Sequence, residues 1–157
     1  MLDILLVALS RGLLVLLFLP FSALDKVLNF KAAQGQAALA IHTPWLARLA
    51  IQAGFCIEVL MSLCIVTGVA DRAAALLAAA YCVATAVLWK QFWKSADFRL
   101  EGPSRGRDTF WDFLKNLALA GGFLSLALGG RATEVNSLLH HPFESTHPYR
   151  LIAPPEP

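Results

Sequence analysis

Charge is scarce in this sequence, and the charges it has nearly cancel. Charged residues make up 15% of the 157 residues, and the formal net charge is only +2. A nucleic-acid-binding protein carries a strong positive bias, so nucleic acid is not expected as a partner. The mean hydropathy is +0.60, which is typical of a multispan membrane protein and rare in a soluble domain. The composition therefore predicts one integral membrane domain in contact with lipid.

Ligands for a metal or a redox cluster are also missing from the sequence. No C-x-x-C pair joins the three cysteines, which all lie inside apolar runs: Cys56, Cys64 and Cys82. We therefore expect apolar fillers, with no haem, iron–sulfur or covalently bound cofactor. No glycine-rich fingerprint follows a strand, so no nucleotide site is predicted. The histidines of the C-terminal tail have no partners at ligand spacing, and we interpret them as surface residues of a mobile tail.

Four apolar runs dominate the chain, at residues 4–24, 44–69, 73–93 and 110–128. Each has about the 20 residues that a helix needs to cross a bilayer, and backbone groups in lipid must be satisfied within the segment. The runs predict an all-α membrane bundle of four helices, formed by residues 1–130. The first run is expected to be retained rather than cleaved as a signal, because "MLD" has no basic residue and Arg11 interrupts the apolar core.

The segments between and after these runs are polar. Residues 25–43 predict a short amphipathic helix that lies at the interface after the first span. Residues 95–108, "SADFRLEGPSRGRD", form a loop whose basic residues we expect to be solvated or to face anionic lipid rather than to form a specific site. Residues 131–157 are rich in proline, and we expect an extended tail outside the membrane.

Lysine and arginine are distributed unequally across the predicted membrane. We call the side that holds both termini side A, and the opposite side B. Excluding Arg11, nine Lys and Arg residues fall on side B and three on side A. The positive-inside rule then predicts that side B is cytoplasmic and that both termini are periplasmic, in a bacterial inner membrane.

Two charged residues lie well inside predicted spans. Arg11 is about 10 Å below side A, and Glu58 is about 15 Å below it, at 1.5 Å per residue. Intramembrane charges usually face the protein interior and pair with each other. We therefore predict a buried Arg11–Glu58 ion pair, which serves either to fix the packing of two helices or to carry function.

A second polar group is predicted near side B, in the stretch "FWDFLKNLALAGG" (110–122). Lys115 and Asn116 lie about 8 Å below that side. The other members of this group, at a similar depth, are Asp25, Lys26, Lys90 and Asp112. Because an amide facing lipid would be unsatisfied, we expect Asn116 and Lys115 to point into the bundle, with Lys115 paired to Asp25 or to Asp112.

The tryptophans fall at the same side as this polar group. All four, Trp45, Trp89, Trp93 and Trp111, lie near side B. One interpretation is a belt of aromatic residues at the membrane interface. The alternative is a ligand site, with the polar head of the ligand at Lys115 and Asn116 and its ring stacked on Trp89, Trp93 or Trp111.

Several pieces of the sequence together resemble one known family. They are "SRGLLVLLFLPFSALDKVLNF" (10–30), "TP" (43–44), "GFCIEVLMSLCIVTGVADRAAALLAA" (54–79), "ATAVLWKQFW" (84–93) and "DFLKNLALAGGFL" (112–124). The chain resembles a DoxX-type membrane protein over about residues 8–128, and "FLKNLALAGG" is the most specific piece. Lys90 stands where the family commonly has histidine, so a histidine-dependent step does not carry over to this chain.

The resemblance implies a small membrane subunit linked to redox enzymes. The family's namesake is a membrane subunit of a thiosulfate:quinone oxidoreductase, so the implied function is an accessory or anchor subunit that could contribute a quinone pocket. The other hypothesis is a stand-alone carrier or lipid-interacting protein, with Arg11 and Glu58 along a polar path. Under either hypothesis, the Gly- and Ala-rich faces of the second and fourth helices suit assembly with a protein partner or into a homo-oligomer.

Overall fold

The computed structural model describes residues 1–129 and 132–150, and only the backbone of residues 132–134. These residues form helices and turns, with no strand in the described ranges, which confirms the all-α prediction. The helices are α1 Leu2–Val15, α2 Ala23–Leu28, α3 Phe30–Ala38, α4 Pro44–Thr67, α5 Asp71–Trp89, α6 Arg105–Leu128 and α7 Ala132–His140.

Three helical segments of the described chain are long and apolar enough to cross a membrane: Leu2–Leu28, Pro44–Thr67 and Asp71–Lys94. Helix α6 is also 24 residues long, but it is not among them. Its first half carries Asp112, Lys115 and Asn116, which lower its hydropathy. Membrane integration by apolar helices is therefore supported, and a fourth span through α6 stays a prediction.

The first helical segment is bent between α1 and α2. Residues 17–22 form a wide helical turn in which Leu19 is extended, with φ −124° and ψ 113°. Pro20 follows directly, and a proline inside a helix removes a backbone hydrogen bond and clashes with the preceding turn. The bend turns α2 towards α4, which it contacts.

Small and polar residues make up most of the buried positions between helices, while many leucines and valines face outwards. Helix α4 buries Ala47, Gly54, Glu58, Ser62 and Ile65. Helix α5 contacts α4 and α6 mainly through buried alanines. This distribution is expected where lipid covers the outside, because leucine then gains little from burial and small residues allow close helix packing.

The turn between α4 and α5 is short. Helix α4 ends at Gly68, which has φ +77° in the left-handed region that favours glycine. Only Val69 and Ala70 follow before α5 begins at Asp71. The side chain of Asp71 therefore lies next to the last turn of α4.

Two sequence predictions are modified by these elements. Residues 25–43 contain the end of α2 and helix α3, which packs on α4; a location in the membrane plane stays a prediction. The predicted tail, 131–157, is not extended throughout, since residues 132–140 form α7. Residues 130–131 and 151–157 lie outside the described part of the chain.

Candidate functional site

A buried polar network surrounds Glu58. Its carboxylate accepts hydrogen bonds from Lys26 Nζ at 2.7 and 2.8 Å, from Ser22 Oγ at 3.1 Å and from Tyr81 OH at 2.8 Å. Lys26 Nζ also donates to Ser22 Oγ at 2.7 Å. The Glu58 side chain is only 3% exposed and that of Lys26 14%. The buried charge is thus paired and hydrogen-bonded, as a low-dielectric site requires.

Local features of three helices bring this network together. Ser22 and Lys26 are one helical turn apart, beyond the bend, on the segment that turns towards α4. On α4, Gly54 lies one turn before Glu58, and a Cβ built there would be 3.2 Å from the Tyr81 hydroxyl oxygen. The missing side chain at Gly54 therefore leaves room for the hydroxyl to reach Glu58.

The predicted Arg11–Glu58 pair is wrong, although both residues are buried and paired. Arg11 Nη1 lies 2.7 Å from Asp71 Oδ2 and also donates to the Ile65 carbonyl at 2.7 Å. Ile65 is about 10 Å further along α4 than Glu58, at 1.5 Å per residue. The bend in the first segment brings Lys26 to Glu58, and the short turn brings Asp71 to Arg11, so each charge has a nearer partner than the predicted one.

The C-terminal segment covers the Arg11–Asp71 pair. Thr146 donates to Asp71 through its backbone N–H at 2.9 Å and its hydroxyl at 2.5 Å, and the hydroxyl accepts from Arg11 Nη2 at 2.7 Å. Ser145 Oγ donates to the Gly68 carbonyl at 2.5 Å, and the Tyr149 hydroxyl donates to the Val66 carbonyl. We call residues 145–149 the strap. The strap is therefore docked on the bundle, through contacts of Ser145, Thr146 and Tyr149 with the end of α4 and the start of α5.

The predicted polar group near side B is only partly assembled. Lys90 Nζ lies 3.0 Å from Asp112 Oδ2, and Lys115 Nζ lies 3.3 Å from Asp112 Oδ1. Lys115 does pair with Asp112, but its side chain is 72% exposed, so its predicted inward orientation is wrong. Asn116 is half-buried and donates to the Asp112 carbonyl of its own helix at 2.9 Å. The amide is satisfied within α6 and does not need a partner on another helix.

Two other members of that predicted group lie elsewhere. Asp25 is exposed and accepts a hydrogen bond from Asn29 Nδ2 at 2.7 Å, one turn along its own segment. Lys26 belongs to the Glu58 network. Adjacent residues on a helix point about 100° apart, so Lys26 turns inwards while Asp25 turns outwards. The predicted pairing of Asp25 with Lys115 is therefore wrong.

Aromatic side chains do gather at the side-B ends of α5 and α6. The ring of Phe92 lies 5.0 Å from Phe110 and 5.4 Å from Phe113, between centroids, and Trp93 packs against Phe113 at 5.8 Å. Trp93 and Trp111 are 51% and 47% exposed, which suits an interface belt. Trp89 is half-buried, and its Nε1 has no hydrogen-bond partner among the described residues. The rings of this cluster pack on each other.

An open groove runs beside the Glu58 network. It has a volume of about 490 Å³ and lies between α4 and the α2–α3 segment. Its lining is mostly apolar, with Lys26 and Gln52 as polar members; the apolar members are Val27, Phe30, Ile51, Phe55 and Cys56. A second depression, of about 510 Å³, is lined by residues 140–144 and lies on the surface. Of these two depressions in the described part of the chain, the groove is the one that adjoins buried charges.

Sequence reasoning missed four members of these clusters: Ser22, Asp71, Tyr81 and Thr146. Asp71 carried a usable signal, since it lies three residues after Gly68, which ends α4, and near side A, the side to which Arg11 is closer. Ser22 carried one too, because it is one turn before Lys26. Nothing in the sequence around Tyr81 or Thr146 indicates their partners, which are 23 and 75 residues away.

Among the described residues, no group of three or more His, Cys, Asp or Glu side chains could hold a metal ion. Comparison of the chain with protein-family models, with curated proteins and with solved structures finds no match. The family resemblance therefore depends on the sequence pieces alone.

Proposed function

We propose that this protein is a small, DoxX-like integral membrane subunit that binds a quinone head group in the groove beside Lys26, as an accessory or anchor of a membrane-linked oxidoreductase. The observation that carries the proposal is the contact between an apolar groove and the buried Ser22–Lys26–Glu58–Tyr81 network. A groove of about 490 Å³ is within the range of small-molecule sites.

The lining of the groove suits a lipophilic ring with carbonyl oxygens. Phe30 and Phe55 offer ring contacts, and Val27 and Ile51 offer apolar walls for the start of a tail. Lys26 and Gln52 carry the hydrogen-bond donors. A groove that is open to the lipid phase would admit such a molecule from the bilayer without passage through water.

Lys26 could donate a hydrogen bond to a quinone carbonyl at a small cost in free energy. Its three N–H groups now face Ser22 Oγ and both oxygens of Glu58. A ring carbonyl could replace Ser22 as one acceptor, because Ser22 would keep its own hydrogen bond to Glu58 Oε1. The Lys26–Glu58 pair would remain, so no buried charge would lose its partner.

The electron balance supports the accessory role. Reduction of a bound quinone takes two electrons and two protons, and the sequence has no cysteine set for an iron–sulfur cluster that could deliver the electrons. A partner subunit would have to deliver them. The buried network, in contrast, has hydroxyl, ammonium and carboxylate groups that suit head-group binding.

The proposed topology has α6 as a fourth span, with side B in the cytoplasm. Helix α6 has 24 residues and packs along α5, and Lys115 could extend its exposed amine towards the side-B interface. The strap and the Arg11–Asp71 pair would then face the periplasm.

Quinone retention tests the groove. The purified protein should co-extract an isoprenoid quinone, measured by chromatography with ultraviolet detection per mole of protein. Cys56→Phe should fill the groove and lower retention, whereas Leu60→Phe, on an exposed position of the same helix outside the groove, should not. Equal retention by both variants and the unchanged protein would refute the groove as the site.

Affinity purification under mild detergent tests the accessory role, which requires a stoichiometric redox subunit; a lone homo-oligomer would refute it.

A further inference from the structure

Two arginine side chains converge on one turn of the side-B loop. Arg99 Nη2 donates to the Pro103 carbonyl at 3.1 Å, and Arg107 Nη1 donates to the Gly102 carbonyl at 3.3 Å. Arg99 Nη2 is also 4.0 Å from where a Cβ on Gly102 would lie, so both guanidinium groups lie close to Gly102. Gly102 has φ +71°, a conformation that favours glycine and forms this turn.

The loop that carries these arginines is held in position by the protein. The Asp97 carboxylate accepts from the backbone N–H groups of Arg105 and Gly106 at 2.9 and 3.1 Å. Ser104 Oγ accepts from the Arg107 N–H at 3.1 Å. The first N–H groups of α6 are thus occupied, and an anion at this point would be bound by the guanidinium groups rather than by the helix terminus.

Packing of Phe98 also helps to hold the loop in position. Its ring lies 5.1 Å from Phe92 and 5.7 Å from Phe110, between centroids. Gly106 lies against its backbone: a Cβ at Gly106 would be 2.7 Å from Phe98 Cα. Arg99 is the next residue, so its backbone is fixed by the same contacts.

Neither guanidinium group has a carboxylate partner within the described residues. The ion pairs found there join other residues, and the only carboxylate inside the loop's turn, Glu101, makes none with Arg99 or Arg107. A guanidinium has five N–H donors, and Arg99 and Arg107 each donate one hydrogen bond to a carbonyl of the turn. Two guanidinium groups that contact the same turn and keep unused donors match the tetrahedral oxygens of a phosphate.

The neighbouring tryptophans indicate which phosphate is available. Trp93 and Trp111 are half-exposed, and each contacts a ring of the aromatic cluster that anchors the loop. Exposed tryptophans of membrane proteins lie at the level of the lipid head groups. We propose that Arg99 and Arg107 form a binding site for the phosphate of an anionic phospholipid, at the side-B surface of the membrane. This site is separate from the quinone groove and does not depend on it.

Competitive lipid binding tests the proposal on the full chain. The protein in a neutral detergent is mixed with equal amounts of phosphatidylglycerol and phosphatidylcholine that have the same acyl chains, and native mass spectrometry counts the retained lipids. The unchanged protein should retain phosphatidylglycerol preferentially. Arg99→Gln and Arg107→Gln should each lower this preference by about tenfold or more, because each removes hydrogen bonds to a charged phosphate.

Arg105→Gln is the matched control, because it removes the same charge from the same loop but no guanidinium–carbonyl contact to the 102–103 turn. It should lower the preference by no more than about fivefold, the value of one basic residue near an anionic surface. Equal retention of the two lipids by the unchanged protein would overturn the proposal, and so would an equal loss in Arg105→Gln, which would indicate a general charge effect. Displacement of the lipid by inorganic phosphate at about millimolar concentration would also overturn it, in favour of a soluble ligand. Elution of each variant as a monodisperse, helical protein establishes that the loss does not come from misfolding.

Discussion

Replacement of Asp71 by Ala should destabilise the protein far more than replacement of Asp112, although each carboxylate pairs with a basic side chain. Asp71 is completely buried, and Arg11 is 7% exposed at its side chain. In the Asp71→Ala variant, the guanidinium group would stay buried without its counter-charge. Removal of one partner from a buried pair costs about 3–5 kcal/mol.

The more exposed pair, Lys90 with Asp112, is compared with the buried pair. Lys90 and Asp112 are 34% and 42% exposed at their side chains, so water already screens their attraction. Exposed ion pairs contribute about 0–1 kcal/mol. The predicted difference between the two variants is therefore several kcal/mol, for the same change of residue type.

Reversible unfolding in mixed micelles measures this difference. The protein is titrated with SDS, and the folded fraction is followed by circular dichroism, for the two single variants and for the double variant Arg11→Met/Asp71→Ala. The double variant should be less destabilised than the sum of its single changes, because it leaves no unpaired charge. If Asp71→Ala costs no more than Asp112→Ala, the pair is not the buried contact that its geometry indicates.

Three further predictions concern other parts of the chain. In whole cells, a membrane-impermeant thiol reagent should label a single cysteine at exposed position Glu144 and not one at Glu101; the reverse pattern would reject the proposed orientation. Gly54→Leu should cost about 1–3 kcal/mol by forcing a side chain against the neighbouring tyrosine hydroxyl, while Gly12→Leu, whose Cβ meets nothing within 4 Å, should not destabilise the protein in the same unfolding assay. Thr146→Val should cost about 1–3 kcal/mol, since it removes the hydroxyl that joins both members of the buried pair on side A; a change below the error of the assay would mean that the strap adds no stability.

Much of the local structure follows from the sequence, because it depends on residues that are close along the chain. The apolar runs predict helices because backbone groups in lipid have no other way to be satisfied. The ends of α4 also follow from the sequence, because Pro44 favours a helix start and Gly68 favours a helix end. The burial of Arg11 and Glu58 also follows, since charges inside a span avoid lipid. The contact between Lys115 and Asp112 follows from helical spacing alone.

The partners of the buried charges were decided only by the tertiary structure. Arg11 and Glu58 would have similar depths along straight helices, and the predicted pair was based on depth alone. The bend at Leu19 moved Lys26 to Glu58, and the return of the strap brought Thr146 to Asp71. Both depend on contacts between segments far apart in the chain, and a linear pattern of hydrophobicity contains no information about the angle of a bend or the return of a tail.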